Sequence, residues 1–473
     1  MKATTLALVE MGTIFAAVCA MLFVGLGQVR PGSSAVALAL AQALALSLSW
    51  VVAFYVNNLY DLRAASSFGR FALRLPTSMS VVLIMLAGFH HLVPATINLG
   101  GPVIWTGLLS VGVVLSLRAI SCAVIRSGPF FDRVLILGAT PLARKLIDEI
   151  NHHHRVGYTI VGVVDDAVPL GDPSFRNLAV GPLEHLGTII DQVRPNRIVV
   201  ALAERRGRLP VGQLLKSLTQ RIVIEDGVDV YERLTGKLAI ESLMPSRLIF
   251  SKDFFKSRLN LMFARIISVL VAGVGLVLLA PLFALIALAI KVDSRGPVFF
   301  VQDRVGRLGR RFKLIKFRTM HSVEERTSEW VCDNGGRITR VGKVLRKFRL
   351  DELPQFVNIL RGDMNIVGPR PHPVSNFELF MARIPHYPLR GIIRPGMTGW
   401  AQVRYGYANN LEEETEKMRY DLYYIKRMSP WVDLRILLET VKLVALGRSS
   451  ATILATPVKT SRKEPLPELN RAA

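Results

Sequence analysis

The chain of 473 residues is short of cysteine and short of acids. Its three cysteines, Cys19, Cys122 and Cys332, stand far apart and form no CxxC pair. That argues against a disulfide framework and against a cysteine zinc site. Aspartate and glutamate total 36 against 59 lysines and arginines, for a formal charge of +23. Such an excess implies an anionic partner, whether lipid, nucleic acid or a phosphorylated substrate. Histidines at metal-ligand spacing are also missing. His90-His91 and His152-His153-His154 are sequence neighbours, which point apart on a helix, so they read as surface or interface residues.

What the chain does have is apolar length. Mean hydropathy is +0.35 with 51% hydrophobic residues, and a chain this long suggests several units. Four apolar runs fall at Leu6–Gly27, Ala35–Val56, Phe71–Val93 and Val103–Ile125. Each is near the ~20 residues that a bilayer-spanning helix needs. Only Lys2 precedes the first run and three more runs follow, so a cleavable signal peptide is not indicated. The link between runs two and three carries Arg63, Arg70 and Arg74, and the exit of run four carries Arg118, Arg126 and Arg133. The link between runs three and four has no Lys or Arg, and the first link has only Arg30. Both ends of this bundle are therefore expected in the cytoplasm.

The pattern then changes. "RVLILGAT", "YTIVGVVDD", "PNRIVVAL" and "RIVIEDG" read as strands, with helical spacing in "PLARKLIDEI". Strands alternating with helices predict a parallel α/β unit over about 131–250. Its glycine fingerprint is degenerate. Gly138–Ala143 reads G-A-T-P-L-A and lacks the second glycine, which lets a backbone approach a pyrophosphate. Asp165 and Asp166 close the second strand, where a ribose-binding acid would stand. A scaffolding or regulatory Rossmann-like domain is the better reading, and a chain starting near Ser251 is expected to keep its chemistry.

A longer apolar segment runs from Leu261 to Lys291. As one straight helix it would measure ~45 Å, more than a ~30 Å hydrocarbon core. Lys252, Lys256, Arg258 and Arg265 precede it or open it, and a denser basic cluster follows. Two basic flanks belong on one, cytoplasmic side. Pro281 removes a helix hydrogen bond and kinks the chain. The segment is therefore expected to enter one leaflet and return. After Gly447 the chain is polar with prolines and reads as disordered.

In "RKFRLDELPQFVNIL" two acids, Asp351 and Glu352, are crowded by Arg346, Lys347 and Arg349, with Arg361 and Arg370 beyond. Acids before Pro354 also suit an ordinary helix amino terminus. Carboxylates among arginines can do more. They can hold Mg²⁺ while the arginines hold phosphates. One of them can attack phosphorus and form an acyl phosphate.

From about Leu259 to Gly447 the chain resembles the bacterial sugar transferase family, the polyprenyl-phosphate hexose-1-phosphate transferases. The segments that carry the resemblance are the proline-kinked helix, "GPVFFVQDRVGR", "KFRTM", "LDELPQ", "GDMNIVGPRP" and "RPGMTGWAQV". The front half is similar to the large form of that family. The resemblance implies a membrane protein of mixed α and α/β class. Its parts would be a four-helix transmembrane bundle (1–128), a Rossmann-like domain (129–250), a re-entrant helix (251–291), a mainly helical catalytic domain (292–447) and a tail (448–473). It further implies that hexose-1-phosphate passes from a UDP-sugar to polyprenyl phosphate with release of UMP, at the start of exopolysaccharide assembly. Asp351 would be the nucleophile and Glu352 the partner in binding Mg²⁺. Arg346 and Arg370 would contact phosphate or help build the site, with Lys316 and Arg318 of "KFRTM" as weaker candidates. The family's Ser-Pro at the kink is Ala280-Pro281 here, which keeps the proline and loses the hydroxyl. UDP-glucose is the first choice of donor and UDP-galactose the second. The protein would be multi-pass in the bacterial inner membrane, with catalysis on the cytoplasmic face near anionic lipid. Its Rossmann-like domain offers an interface for a homodimer.

Two rivals differ in class. A membrane-bound NAD-dependent nucleotide-sugar dehydratase or epimerase needs an intact glycine fingerprint and a Tyr-x-x-x-Lys pair, and Tyr420, Tyr423 and Lys426 have the wrong spacing. A nucleic-acid-binding protein would spread its charge in a stripe with stacking aromatics. Here the basic residues surround acids and Gly-Pro turns, so no nucleic-acid partner is expected.

Overall fold

The computed structural model describes residues 3–26, 33–57, 59, 68–92, 100–126, 132–152, 157–166, 175, 178–202, 204, 207–240, 254–321, 337–406, 408 and 410–445. Lys2, Arg30, Arg63, His153, His154, Lys252, Cys332 and the tail after Gly447 lie outside the described residues, as do the side chains of Arg70, His90, Cys122, Arg126 and His152. The chain divides into two compact units, Met1–Val230 and Tyr231–Ala473.

The apolar runs are helices: α1 (Ala3–Leu26), α2 (Ser33–Val56), α3 (Phe68–Leu92) and α4 (Gly100–Arg126). Ile14, Val18, Trp50, Phe54, Phe71 and Val114 meet in a common apolar core. Within the described helices, Phe71–Phe89 is long and apolar enough to cross a membrane, and shorter apolar stretches run Leu8–Ala20, Leu40–Val56 and Leu108–Ile120.

Arg118 departs from the sequence expectation. It is no free flanking charge. Its Nε lies 2.7 Å from Glu10 Oε1, and both side chains are almost wholly buried. Its Nη1 donates to the Leu59 carbonyl at 3.0 Å, and the Phe54 and Phe71 rings lie about it at 5.0 and 5.4 Å. An ion pair in an apolar bundle persists only when geometry and extra hydrogen bonds offset desolvation. Here a carbonyl and two ring faces add to the carboxylate.

The α/β reading holds. Strands β1 (Asp132–Leu137), β2 (Tyr158–Val164), β3 (Ala179–Gly181), β4 (Arg197–Val200) and β5 (Val223–Asp226) form one parallel sheet in the order β3-β2-β1-β4-β5. This is the doubly wound order, with its switch point at β1 and β4. Amphipathic helices α5 (Pro141–His152), α6 (Leu186–Val193) and α7 (Val211–Thr219) bury one face each. At the degenerate fingerprint the Ala139 N–H donates to Asp165 Oδ2 at 2.6 Å, and Arg208 holds the other oxygen at 2.9 Å. A backbone donor that a pyrophosphate would want is thus taken by the chain's own acid.

The expected boundary at residue 250 falls too late. Helix α8 (Gly227–Thr235) follows β5, and from Tyr231 on the chain belongs to the second unit. Leu238 and Ile240 lie in that unit's core. Buried Glu232 accepts from Lys426 Nζ at 2.8 Å, and Trp400 Nε1 donates to the Gly236 carbonyl at 2.9 Å. The sequence pattern ends at the last strand and does not show which core the next apolar residues enter.

The rest of the second unit begins with a broken helix, α9 (Arg258–Leu278) and α10 (Ala280–Asp293). Leu279 between them has φ −94° and ψ 3°, and Pro281 stands in the first turn of α10, where a missing N–H does no harm. Arg258–Leu278 is the second described helix of membrane-crossing length. An antiparallel ribbon follows, β6 (Phe299–Val305) with β7 (Arg311–Phe317). Then come α11 (Arg340–Lys347), α12 (Gln355–Arg361), β8 (Asn365–Val367), α13 (Val374–Arg383), β9 (Gly396–Thr398), α14 (Trp400–Arg404), α15 (Leu411–Arg427) and α16 (Pro430–Ala445).

Candidate active site

The two acids sit in a short 3-10 turn, Leu350–Glu352, between α11 and α12. Arg349 enters it in the left-handed region, at φ 52° and ψ 25°. That conformation is uncommon for a residue other than glycine and marks a strained, over-determined turn. The flanks are anchored. Asp293 Oδ2 at the end of α10 accepts the Val341 N–H at 3.0 Å, and Thr339 Oγ1 accepts the Gly342 N–H at 2.9 Å. Both satisfy orphan donors at the start of α11.

The acids have different surroundings. Glu352 is buried; Arg370 Nη2 donates to its Oε1 at 3.0 Å, and Lys316 Nζ stands 3.9 Å from the same oxygen. Burial pushes its carboxyl up, but Arg370, Lys316 and Arg349 outweigh that and hold it well below the usual carboxylate range. Asp351 is different. Among the described residues no hydrogen bond or ion pair holds its carboxylate. Burial and the neighbouring Glu352 raise its pKa, against the pull of Lys316, Arg346 and Arg370. Lys316 is itself drawn down to about 8 by burial and by Arg370, with Glu352 opposing.

Arg370 reaches Glu352 because two glycine motifs cross. Gly368 N–H donates to the Thr398 carbonyl and Gly396 N–H to the Pro369 carbonyl, each at 2.9 Å. A Cβ on Gly396 would lie 2.0 Å from the Gly368 nitrogen, so "VGPRP" and "RPGMTGW" can approach only without side chains there. The loop carbonyls are held too. Arg390 donates to that of Arg370 at 3.1 Å and Arg304 to that of Pro371 at 3.2 Å. Arg390 is buried against Asp421 at 2.6 Å and against Tyr387 and His372.

Of the residues singled out from sequence, Asp351, Glu352, Lys316 and Arg370 come together. Arg346 acts on Asp351 through its charge, while its Nε donates to Thr319 Oγ1 at 3.0 Å. Arg318 goes elsewhere. Its guanidinium is buried and donates to the carbonyls of Arg295 and Ser294 at 2.9 and 2.7 Å, which closes the turn after α10. Pro281 stands at the helix break. Sequence reasoning passed over Arg390, Asp421, His372 and Asn358. Asn358 alone carried a signal, as a polar residue inside an apolar helical run.

Among the described residues no group of three His, Cys, Asp or Glu could hold a metal by itself. Two adjacent carboxylates still fit Mg²⁺, which takes one or two carboxylates and completes its shell with substrate phosphates and water.

Residues 259–447 match the family model described as Bacterial sugar transferase. A UDP-glucose:undecaprenyl-phosphate glucose-1-phosphate transferase of Escherichia coli (strain K12) is 32% identical over 346 residues, 71% of this chain and 73% of that protein. This chain belongs to the bacterial sugar transferase family. Another sugar transferase relative is a UDP-N-acetylgalactosamine-undecaprenyl-phosphate N-acetylgalactosaminephosphotransferase of Aeromonas hydrophila, 40% identical over 219 residues. That match covers 46% of this chain and spans about half, 51%, of the relative. Exopolysaccharide production protein ExoY of Rhizobium meliloti (strain 1021) is 38% identical over 202 residues, 39% of this chain and 87% of ExoY.

Proposed function

We propose that this sugar transferase moves hexose-1-phosphate from a UDP-sugar to undecaprenyl phosphate, at the start of exopolysaccharide assembly. One observation carries the division of labour: Glu352 is tied to Arg370 and Lys316 while the adjacent Asp351 is untied. Asp351 attacks the β-phosphorus of the donor. The bond from that phosphorus to the bridging oxygen breaks, and UMP leaves with the electron pair. An oxygen of the lipid phosphate then attacks the phosphorus held on Asp351. The carboxylate is released and a lipid diphosphosugar forms. Lys316 and Arg370 hold donor phosphate oxygens, and the charge of Arg346 opposes the burial that favours protonation of Asp351. Glu352 and Asp351 would hold Mg²⁺, which neutralises phosphate charge when bound.

The membrane placement belongs to the same proposal. The amino-terminal helices α1 to α4 span the membrane, and α9 with α10 enters one leaflet and returns on the cytoplasmic face. Support comes from how both arms pack. Arg265 on α9 donates to the carbonyls of Leu360 and Met364, and Ser268 accepts from Ile366 N–H. Ile286 and Ile290 on α10 share a core with Phe317 and Leu345. Leu270, Val274, Val277, Leu285 and Leu288 remain exposed. Both arms pack on the catalytic unit and leave apolar residues exposed, which supports a placement against lipid. UDP-glucose is the proposed donor, and relatives named for UDP-glucose support it.

The test is UMP release across a UDP-sugar panel with undecaprenyl phosphate, for the wild type and Asp351→Asn. UDP-glucose is expected to be the fastest donor, and the variant is expected to fall to background. With the acceptor left out, rapid quench and intact-mass measurement should find a phosphohexose adduct on wild type. Near-normal turnover of D351N would end the proposal.

A further inference from the structure

Asn358 is wholly buried in an otherwise apolar stretch of α12. Its Nδ2 donates to the Lys313 carbonyl at 2.7 Å, and its Oδ1 accepts the Ile315 N–H at 3.0 Å. These two backbone groups lie on one edge of β7. A neighbouring strand would pair with the carbonyl of one residue and the N–H two residues later in the same way. The Asn358 carboxamide thus does the work of a peptide group from a third strand. Nδ2 also donates to Asp363 Oδ2 at 3.0 Å, and the Asn358 carbonyl accepts the Asp363 N–H at 3.1 Å, so the amide is held from behind.

The strand and the helix joined in this way carry the two halves of the site. Lys316 follows Ile315 directly on β7. Asp351 and Glu352 lie in the turn that leads into α12. We infer that Asn358 is a positioning residue, which fixes the register of β7 against α12 and so holds Lys316 at its 3.9 Å from Glu352. The inference rests on the phosphate-binding role proposed for Lys316. It adds a residue that touches no substrate.

The experiment measures UDP binding to full-length protein in detergent, by calorimetry, for wild type, Asn358→Ala, Lys316→Ala and the double variant. Each single variant is expected to weaken UDP binding by roughly fivefold or more, and the double variant is expected to bind no worse than K316A. Such non-additivity marks two residues acting as one. A purely structural role would lower the active fraction and leave the affinity of the remainder unchanged. Unchanged affinity in N358A, or affinity losses that multiply in the double variant, would overturn the inference. If N358A does not fold, Asn358→Asp keeps the acceptor for Ile315 and removes the donor to Lys313, and the same comparison applies. Failure of wild type to bind UDP or release UMP would count against the proposed function instead.

Discussion

Arg370 and Glu352 form the central ion pair of the second unit, 3.0 Å apart and eighteen residues apart in the chain. The arginine comes from a glycine-bounded loop and the glutamate from a strained turn. Their meeting requires the close crossing of Gly368 and Gly396. Breaking a buried pair costs up to about 3–5 kcal/mol, and removal of Arg370 leaves buried Glu352 to the more distant Lys316 at 3.9 Å. Arg370→Met should therefore lower both stability and turnover. Arg370→Met with Glu352→Gln should recover much of the stability and none of the activity, as read by thermal unfolding and UMP release. Stability that stays low in the double variant would mean that the pair is not the main cause.

Truncation reports the true start of the catalytic unit. A chain beginning at Ser251 loses Leu238 and Ile240 from the core and takes the buried carboxylate of Glu232 away from Lys426. It should be less stable than a chain beginning at Tyr231 by several kcal/mol, since two buried core side chains and an ion partner of Lys426 are lost. Thermal unfolding of both in detergent decides. Equal melting would show that residues 231–250 are dispensable.

The Arg118–Glu10 pair predicts a reciprocal rescue in the amino-terminal bundle. Arg118→Met removes the buried ion partner of Glu10 and should destabilise by about 3–5 kcal/mol. Adding Glu10→Met should restore most of that, because two apolar side chains replace two desolvated charges. Unfolding of the detergent-solubilised variants followed by tryptophan fluorescence would test it, with Trp50 buried in the same helices. A double variant no better than the single would count against the pairing.

Asp433 gives a pH-dependent prediction. It is buried in the first turn of α16, where Tyr424 OH donates to its Oδ1 at 2.6 Å. Burial raises its pKa from 3.8 to about 6, and the tyrosine opposes. The folded state then binds the proton more tightly than the unfolded state. The stabilisation is fully present below pH ~4 and is lost as pH rises through about 6. Asp433→Asn keeps an acceptor for Tyr424 and never ionises. It should stabilise the protein by about 1–3 kcal/mol at pH 7.5 and show little gain near pH 4. A gain of equal size at both pH values would rule out ionisation as the cause.

Much of this architecture is legible in the chain's local pattern. Four apolar runs become four helices, and strand-helix alternation becomes a parallel sheet, because a backbone without water must satisfy its own hydrogen bonds and period alone tells how. The pair Asp351-Glu352, the break at Pro281 and the missing glycine of the fingerprint are likewise local facts. Partners are not. Lys316 and Arg318 stand two apart and would share one face of a continuous strand. But β7 stops at Phe317, so Lys316 faces Glu352 while Arg318 turns back to Ser294 and Arg295. Arg118 reads as a flanking charge until Glu10, more than a hundred residues earlier, is seen beside it. Asn358 reads as a flaw in an apolar run until the edge of β7 arrives to use its amide. In each case the deciding contact joins residues distant in sequence. Such contacts depend on where the chain folds back, and no local period encodes that.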